Sequence, residues 1–282
     1  MLTRVDRVQI AVRDRAAAAE RLAALFDAEP VADDTVAALN AHRRTVRAGA
    51  AVFELLEPAE DGPVAAMLAR WGEGLFAAGF ATRDLQTLAS RLEQHGVPFV
   101  AEGEQLFLSG EGLDGLRAVI SHDSPPTPTT GALLGPLYEV TMLTPDAAAA
   151  AARYAGVFAL DPARFCPIDS DLYGYRGTLT LFDPPARLDR IEVVEITDPA
   201  RPMGRFYARR GPGLYMCYAE ADDIDRLRAR LDAAGARHAP SAHGAEHGLY
   251  IHPSGLLGML MGVSRTTFAW TWSGRPELVV PR

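Results

Sequence analysis

Short apolar runs and alanine- and leucine-rich amphipathic segments alternate along the chain, and the order in which they come repeats. Residues 8–12 read as a strand, and Asp14 opens an alanine-rich helix that reaches about Asp27. Residues 45–46 and 51–56 read as later strands, with 32–39 undetermined. Residues 137–143 again read as a strand. Asp146 then opens a helix to about Phe158, and strands follow at 178–182 and 191–196. Gly74-Leu75 and Gly213-Leu214 each open a further apolar strand, the second pair 139 residues after the first.

At that same offset Asp84, Leu85, Leu88, Leu92 and Gly96 match Asp223, Ile224, Leu227, Leu231 and Gly235, and five matches on one register point to a duplication. Each set reads as an amphipathic helix. The aspartate accepts orphan amide hydrogens at its start, and the apolar stripe falls at helical spacing. The glycine supplies the left-handed residue at its end. Three short strands follow, in the second half at 236–241, 248–252 and 258–263. Strand, helix and three strands thus occur four times. The stretch Asp-Ser-Pro-Pro-Thr-Pro-Thr-Thr-Gly at 123–131 separates the halves, since proline cannot donate to a sheet ladder and biases its predecessor to extended backbone. The expected organisation is an N-terminal domain (1–122), a linker (123–135), a C-terminal domain (136–265) and a tail (266–282).

Apolar residues make up 48% of the chain and charged residues 23%, an ordinary globular balance. Thirty-six acidic against 28 basic residues give a net charge of −8, which repels a phosphate backbone and argues against nucleic acid as partner. No apolar run approaches the roughly 20 residues that cross a bilayer. The N-terminal residues Met1 to Arg7 lack a signal-peptide apolar segment, so a soluble, cytoplasmic protein without a membrane partner is expected. Every basic residue is arginine, which excludes Schiff-base chemistry and a phosphate-loop lysine. Cys166 and Cys217 are too few and too far apart for a disulfide framework or a thiolate zinc site.

Four such units in two pairs, with Asp6-Arg7-Val8-Gln9-Ile10-Ala11-Val12-Arg13-Asp14, Phe53-Glu54-Leu55-Leu56-Glu57-Pro58, Ala221-Asp222-Asp223-Ile224-Asp225 and His252-Pro253-Ser254-Gly255, make the chain resemble the vicinal oxygen chelate superfamily. That group includes glyoxalases, methylmalonyl-CoA epimerases, bleomycin-resistance proteins and extradiol dioxygenases. The resemblance spans about residues 3–264. It implies an α+β fold of four βαβββ units paired into two domains, each a curved mixed sheet forming a cleft. Such clefts usually hold one divalent metal, between histidines on the unit-opening strands and a glutamate or similar residue on the unit-closing ones. Carried over, the first half offers Arg7, Glu54, Ala77 (or Phe76) and Val119, of which only Glu54 could ligate. Arg7 would face Glu54 and fill the charge role of a metal, leaving the first cleft structural. The second half offers Glu139, Glu195, Met216 (or Tyr215) and Gly262, with no histidine in place, so no metal or other cofactor is expected.

In 191–196 the period of two sends Glu192 and Glu195 to opposite faces, and aligning Val194-Glu195-Ile196 with Phe53-Glu54-Leu55 turns Glu195 inward. Glu139 and Glu195 in one dry cleft would then form an acid/base couple, because two neighbouring carboxylates do not both ionise cheaply. His252 joins them as a third catalytic candidate, and His247 opens a strand near the cleft mouth. His243 reads as structural. Tyr175, Tyr215, Met216, Tyr218 and Tyr250 are the expected substrate contacts, while Arg209-Arg210-Gly211 reads as a solvated turn. Trp270 and Trp272 would cap the cleft or sit in a homodimer interface. The reading is metal-independent proton transfer, an isomerase, epimerase or lyase, on a small carbonyl-bearing or aromatic molecule. Two other readings stay open: a binding protein without chemistry, and a divalent metal held by Glu139, Glu195 and one of His247 or His252.

Overall fold

The computed structural model describes residues 1–124, 131–183, 189–242 and 244–265. Residues 125–130 of the expected linker, His243, and the tail with Trp270 and Trp272 lie outside the described residues. The first unit is β1 (Leu2–Ala11), α1 (Arg15–Phe26), β2 (Glu29–Val36), β3 (Ala41–Ala48) and β4 (Ala51–Pro58). A helix, α2 (Pro63–Trp71), leads to β5 (Gly74–Thr82), α3 (Leu85–Gln94), β6 (Phe99–Glu102), β7 (Gln105–Leu108) and β8 (Ala118–His122). The third unit is β9 (Leu137–Leu143), α4 (Ala147–Phe158), β10 (Cys166–Ser170), β11 (Tyr175–Leu181) and β12 (Arg190–Ile196). After α5 (Pro202–Arg210) come β13 (Gly213–Glu220), α6 (Ile224–Ala233), β14 (His238–Pro240), β15 (Gly248–Ile251) and β16 (Leu260–Ser264). This is the α+β order expected, four times over.

One capping device starts all four unit helices. Asp14, Asp84, Asp146 and Asp223 accept amide hydrogens from Ala16 and Ala17, Thr87, Ala149 and Arg226, satisfying donors that the first helical turn leaves without partners. Gly96 and Gly235, at φ of +65° and +62°, take the left-handed backbone that ends α3 and α6. The helices α2 and α5 are additional to the expected units, and Arg209 and Arg210 form the last turn of α5 rather than a solvated turn. Their signal was in the chain: each begins on proline at the first turn and stops at a glycine, Gly72 or Gly211.

The strands form two eight-stranded sheets of identical order, β2-β3-β4-β1-β5-β8-β7-β6 and β10-β11-β12-β9-β13-β16-β15-β14. In each, the opening strand of one unit runs antiparallel to that of the next, and each opening strand runs parallel to the closing strand of its own unit. The helical faces of both sheets share one core, in which Phe80 meets Phe158 and Phe182 at 6.4 and 6.0 Å between ring centroids. Arginines stitch the halves at helix ends. Arg21 donates to the Ala234 and Gly255 carbonyls, Arg91 to those of Gly156 and Val157, and Arg230 to those of Ala23 and Ala24. Cations there also complement the helix dipoles.

On the opposite, cleft side the first half is occupied by its own side chains. Val64, Met67 and Leu68 of α2 pack on Ala11, Leu56, Ala77 and Val119. Beside them Glu54 accepts from Arg7 at 3.0 Å, Gln9 at 2.7 Å and Arg43 at 3.3 Å. Gly79, opposite Arg7 on β5, makes room for that arginine: a Cβ there would lie 2.0 Å from Arg7 Cγ and 2.8 Å from its carbonyl oxygen. Gly79→Ala is expected to cost about 1–3 kcal/mol of stability through overpacking, read as a lower urea midpoint. An unchanged midpoint would mean that Arg7 is not locked in this place.

Candidate functional site in the C-terminal cleft

Which residues of β12 face the cleft is decided by the helix on the other side. Ile191 and Val193 belong to the core shared with α4, so Arg190, Glu192 and Val194 turn the opposite way by the period of two. Glu195 has the parity of Ile191 and Val193 and therefore lies on the helix side. There its carboxylate accepts the Ala147 amide at 2.9 Å, at the start of α4, and the Arg176 Nε at 2.6 Å. The Ala147 amide, then Arg176, hold its carboxyl below the usual range. The expected inward Glu195 is thus corrected: it caps a helix, as Glu57 does by accepting the Arg15 amide at 2.9 Å in the first half.

Register identifies the inward glutamate. The parallel pair β9–β12 sets Arg190 opposite Glu139 and Glu192 opposite Thr141, while β1–β4 sets Gln9 opposite Glu54. With Glu139 at the place of Arg7, Glu192 takes the place of Glu54. The sequence held a direct signal for this, since Phe-Glu-Leu-Leu-Glu-Pro at 53–58 and Ile-Glu-Val-Val-Glu-Ile at 191–196 superpose glutamate on glutamate without a shift.

Glu139 and Arg190, both 0% exposed, form an ion pair at 2.5 Å in the cleft floor. Above them Glu192 accepts the Thr141 hydroxyl at 2.5 Å, with Glu139 and Tyr175 close enough to act on its charge. Burial, then the charge of Glu139, pushes the Glu192 carboxyl up to about 8. Burial raises Glu139 too, against the pull of Arg190. With Arg190 beside Glu139, the proton of the pair resides on Glu192 near neutral pH.

Over this floor sits a cavity of about 220 Å³ lined by Glu192, Tyr173, Tyr175, Tyr215, Tyr218 and Tyr250. Met203 of α5, Met216, Leu249 and Leu260 complete its apolar wall. Tyr218 donates to Tyr250 at 3.0 Å, and the Tyr173 ring meets that of Tyr250 edge-on at 6.3 Å between centroids. Burial raises the Tyr175, Tyr218 and Tyr250 phenols, so all three stay protonated donors. The bare Gly262 lets the Tyr218 ring lie flat on β16, since a Cβ there would stand 2.1 Å from it. Behind the wall Tyr138 and Ser264 share a 2.6 Å hydrogen bond.

Of the residues singled out from sequence, Tyr175, Tyr215, Met216, Tyr218 and Tyr250 line this cavity, and Glu139 lies directly beneath it. The histidines are elsewhere. His252 Nδ1 accepts the Ser254 amide at 3.1 Å and caps the turn Pro253–Gly255, and burial followed by Arg237 holds its imidazole below the ordinary value. His247 stands beside Glu246 at 3.3 Å, outside the cavity lining. His252 as a catalytic group and His247 as a substrate contact therefore do not meet the cleft, because the strand β15 ends before one and begins after the other. Sequence reasoning missed Glu192, Thr141 and Arg190.

The residues at the family's ligand positions do not fit a divalent ion. Glu139 is taken by a guanidinium, Met216 and Gly262 supply no hard donor, and Glu195 is on the far face. Among the described residues no group of three or more His, Cys, Asp or Glu side chains could hold a metal, and the alternative set of Glu139, Glu195 and His247 or His252 is not brought together.

A family model described as Glyoxalase/Bleomycin resistance protein/Dioxygenase superfamily matches residues 6–108. No curated protein matches the sequence. Among solved structures, a triple variant of 4-hydroxymandelate synthase from Streptomyces coelicolor superposes with a TM-score of 0.70 at 15% identity, over 94% of this chain and 93% of that one. A xylose isomerase-like TIM barrel/4-hydroxyphenylpyruvate dioxygenase fusion protein gives 0.61 at 15% identity, over 94% of this chain and 49% of that one. At these identities the likeness is one of fold.

The folded chain keeps a proton on Glu192 that an unfolded glutamate loses above about pH 4.5, so stability falls as pH rises from there through about 8. Glu192→Gln is expected to flatten that slope in urea titrations, standing above the parent at pH 9 and level with it at pH 4. Coincident curves would place the proton elsewhere. Glu195→Ala is expected to lose about 1 kcal/mol through the helix cap, with the emission of the cleft tyrosines unchanged.

Proposed function

We propose that this chain, whose residues 6–108 match the glyoxalase/bleomycin resistance protein/dioxygenase superfamily, is an enzyme whose C-terminal cleft moves a proton on a small carbonyl-bearing or aromatic molecule without a metal. The observation that carries this reading is Glu192. Burial in the lining of a tyrosine-rich cavity pushes its carboxyl up to about 8, where donor and acceptor forms are both available near physiological pH.

In this reading the aromatic walls bind the body of the substrate, and the phenolic O–H of Tyr250 holds its oxygen, with Tyr218 donating to Tyr250 behind it. Charge developing on that oxygen, as in an enolate, is met by donors that are already oriented and shielded from water. Glu192 passes a proton to or from the adjacent carbon. When it ionises, the Thr141 hydroxyl and Tyr175 hold its carboxylate, while Arg190 offsets the charge of Glu139 beneath. Glu139 is a positioning residue that sets the proton affinity of Glu192 and does not touch substrate. Isomerisation, epimerisation and elimination share this step. The N-terminal cleft, with Glu54 tied to two arginines and a glutamine, is assigned a structural role.

The test is carbon-acid exchange. Aryl ketones and 2-oxo acids are incubated with the protein in D2O, and loss of the proton next to the carbonyl is followed by NMR. Exchange with the parent that drops about 100-fold or more in Glu192→Gln, with ligand affinity kept, supports the enzyme. Ligand binding without exchange supports the second reading, a sequestering protein, for which the largely aromatic lining is the observation in favour. Equal exchange in parent and variant would remove Glu192 from the chemistry.

A further inference from the structure

Nearly every buried or half-buried arginine in this chain meets a carboxylate or a helix-end carbonyl, as Arg4 does Asp123, Arg7 and Arg43 do Glu54, and Arg190 does Glu139. Arg117 departs from this, and so in part does Arg210, whose Nε is buried without an acceptor. Between the halves, where the last turn of α2 meets the last turn of α5, a cavity of about 330 Å³ is lined by Arg70, Arg117 and Arg210 with Trp71, Phe76 and Phe206. No aspartate or glutamate is among the described residues that line it. The guanidiniums lie on aromatic faces instead: Arg70 and Arg210 against Trp71 at 4.7 and 5.1 Å, Arg210 against Phe206 at 5.0 Å, and Arg117 against Phe76 at 4.9 Å.

A structural account covers part of this. Arg70 and Arg210 stand in the C-terminal turns of their helices, where cations complement the dipole, and Arg210 donates to the Trp71 carbonyl at 3.4 Å. Arg117 stands on no helix, and its side chain has no ion pair or hydrogen bond among the described residues. The Arg210 Nε is buried without an acceptor. Burial lowers the proton affinity of both Arg117 and Arg210. Stacking on rings supplies about 0.5–2 kcal/mol per contact, which attracts a cation without neutralising it. A concave, ring-walled pocket with three arginines and no carboxylate in its described lining focuses a field that favours an anion, and guanidinium forks match the oxygens of carboxylate and phosphate.

We infer that this inter-half cavity is a second binding site, separate from the tyrosine-lined cleft, for a small anion, a carboxylate or phosphate carried on an aromatic body. The anionic group lies between Arg117 and Arg210, and the ring lies against Trp71 and Phe206. The site rests on features independent of the proton-transfer reading, and either can fail alone.

Phenyl phosphate, with phenol as the uncharged counterpart, is the probe, titrated into the full chain by calorimetry and by tryptophan emission. Binding that weakens with added NaCl, falls at least tenfold in the Arg117→Gln/Arg210→Gln double variant and persists in Glu192→Gln is the expected result. The emission change should vanish in Trp71→Phe, although Trp270 and Trp272 remain. The double variant also gives up the ring contacts of both arginines and the Arg210 bond to the Trp71 carbonyl, so its fold is checked first by thermal melting. If it does not fold, the parent and Trp71→Phe decide the question. No binding at millimolar phenyl phosphate, equal binding of phenol, or an emission change retained in Trp71→Phe would overturn the site, as would undiminished binding in a folded double variant.

Discussion

A guanidinium buried among converging carboxyl groups holds each cleft of this protein together. In the first half Arg7 and Arg43 close on Glu54, and in the second Arg190 closes on Glu139 at full burial. Leaving carboxylates there without a cation would cost several kcal/mol per ion. The halves meet the constraint with opposite layouts. The arginine stands on the opening strand in one and on the closing strand in the other. That exchange leaves the inward glutamate of β4 fully engaged and the inward glutamate of β12 able to keep a proton.

The second consequence is how the clefts are filled. Both halves carry a helix between their units, and both helices lay methionine and other apolar side chains on the cleft face. Over the first sheet α2 meets alanine, valine and leucine, and the polar end is filled by arginine, glutamine and serine side chains bonded to one another. Over the second sheet tyrosines replace the small residues, and their rings stand apart to leave a cavity with Glu192 in its lining and the Glu139–Arg190 pair beneath. Duplicated architecture thus supports one cleft that is packed shut and one that is open.

Arginine without lysine fits the way the halves are joined. Planar, multiply donating groups reach across to helix-end carbonyls at Arg21, Arg91 and Arg230, which a point charge would satisfy less completely. The same residue type, stacked on rings and left without carboxylates between α2 and α5, gives the inter-half cavity a different character from the tyrosine cleft.

The four unit helices were legible residue by residue, because an aspartate cap, a 3.6-residue stripe and a left-handed stop are local devices that need no partner strand. So were Leu137–Leu143 as a strand and Arg7 facing Glu54. Glu195 was placed inward because alternation along a strand says that two glutamates three apart face opposite ways and says nothing about which way is in. That choice belongs to α4, whose first amide needs Glu195 and whose apolar face needs Ile191 and Val193. The histidines at 247 and 252 were drawn toward the cleft by residue type alone, and the ends of β15 put them outside it. Local pattern determined the four unit helices and the opening strands, and the packing of helix against sheet decided which carboxyl group meets the cavity.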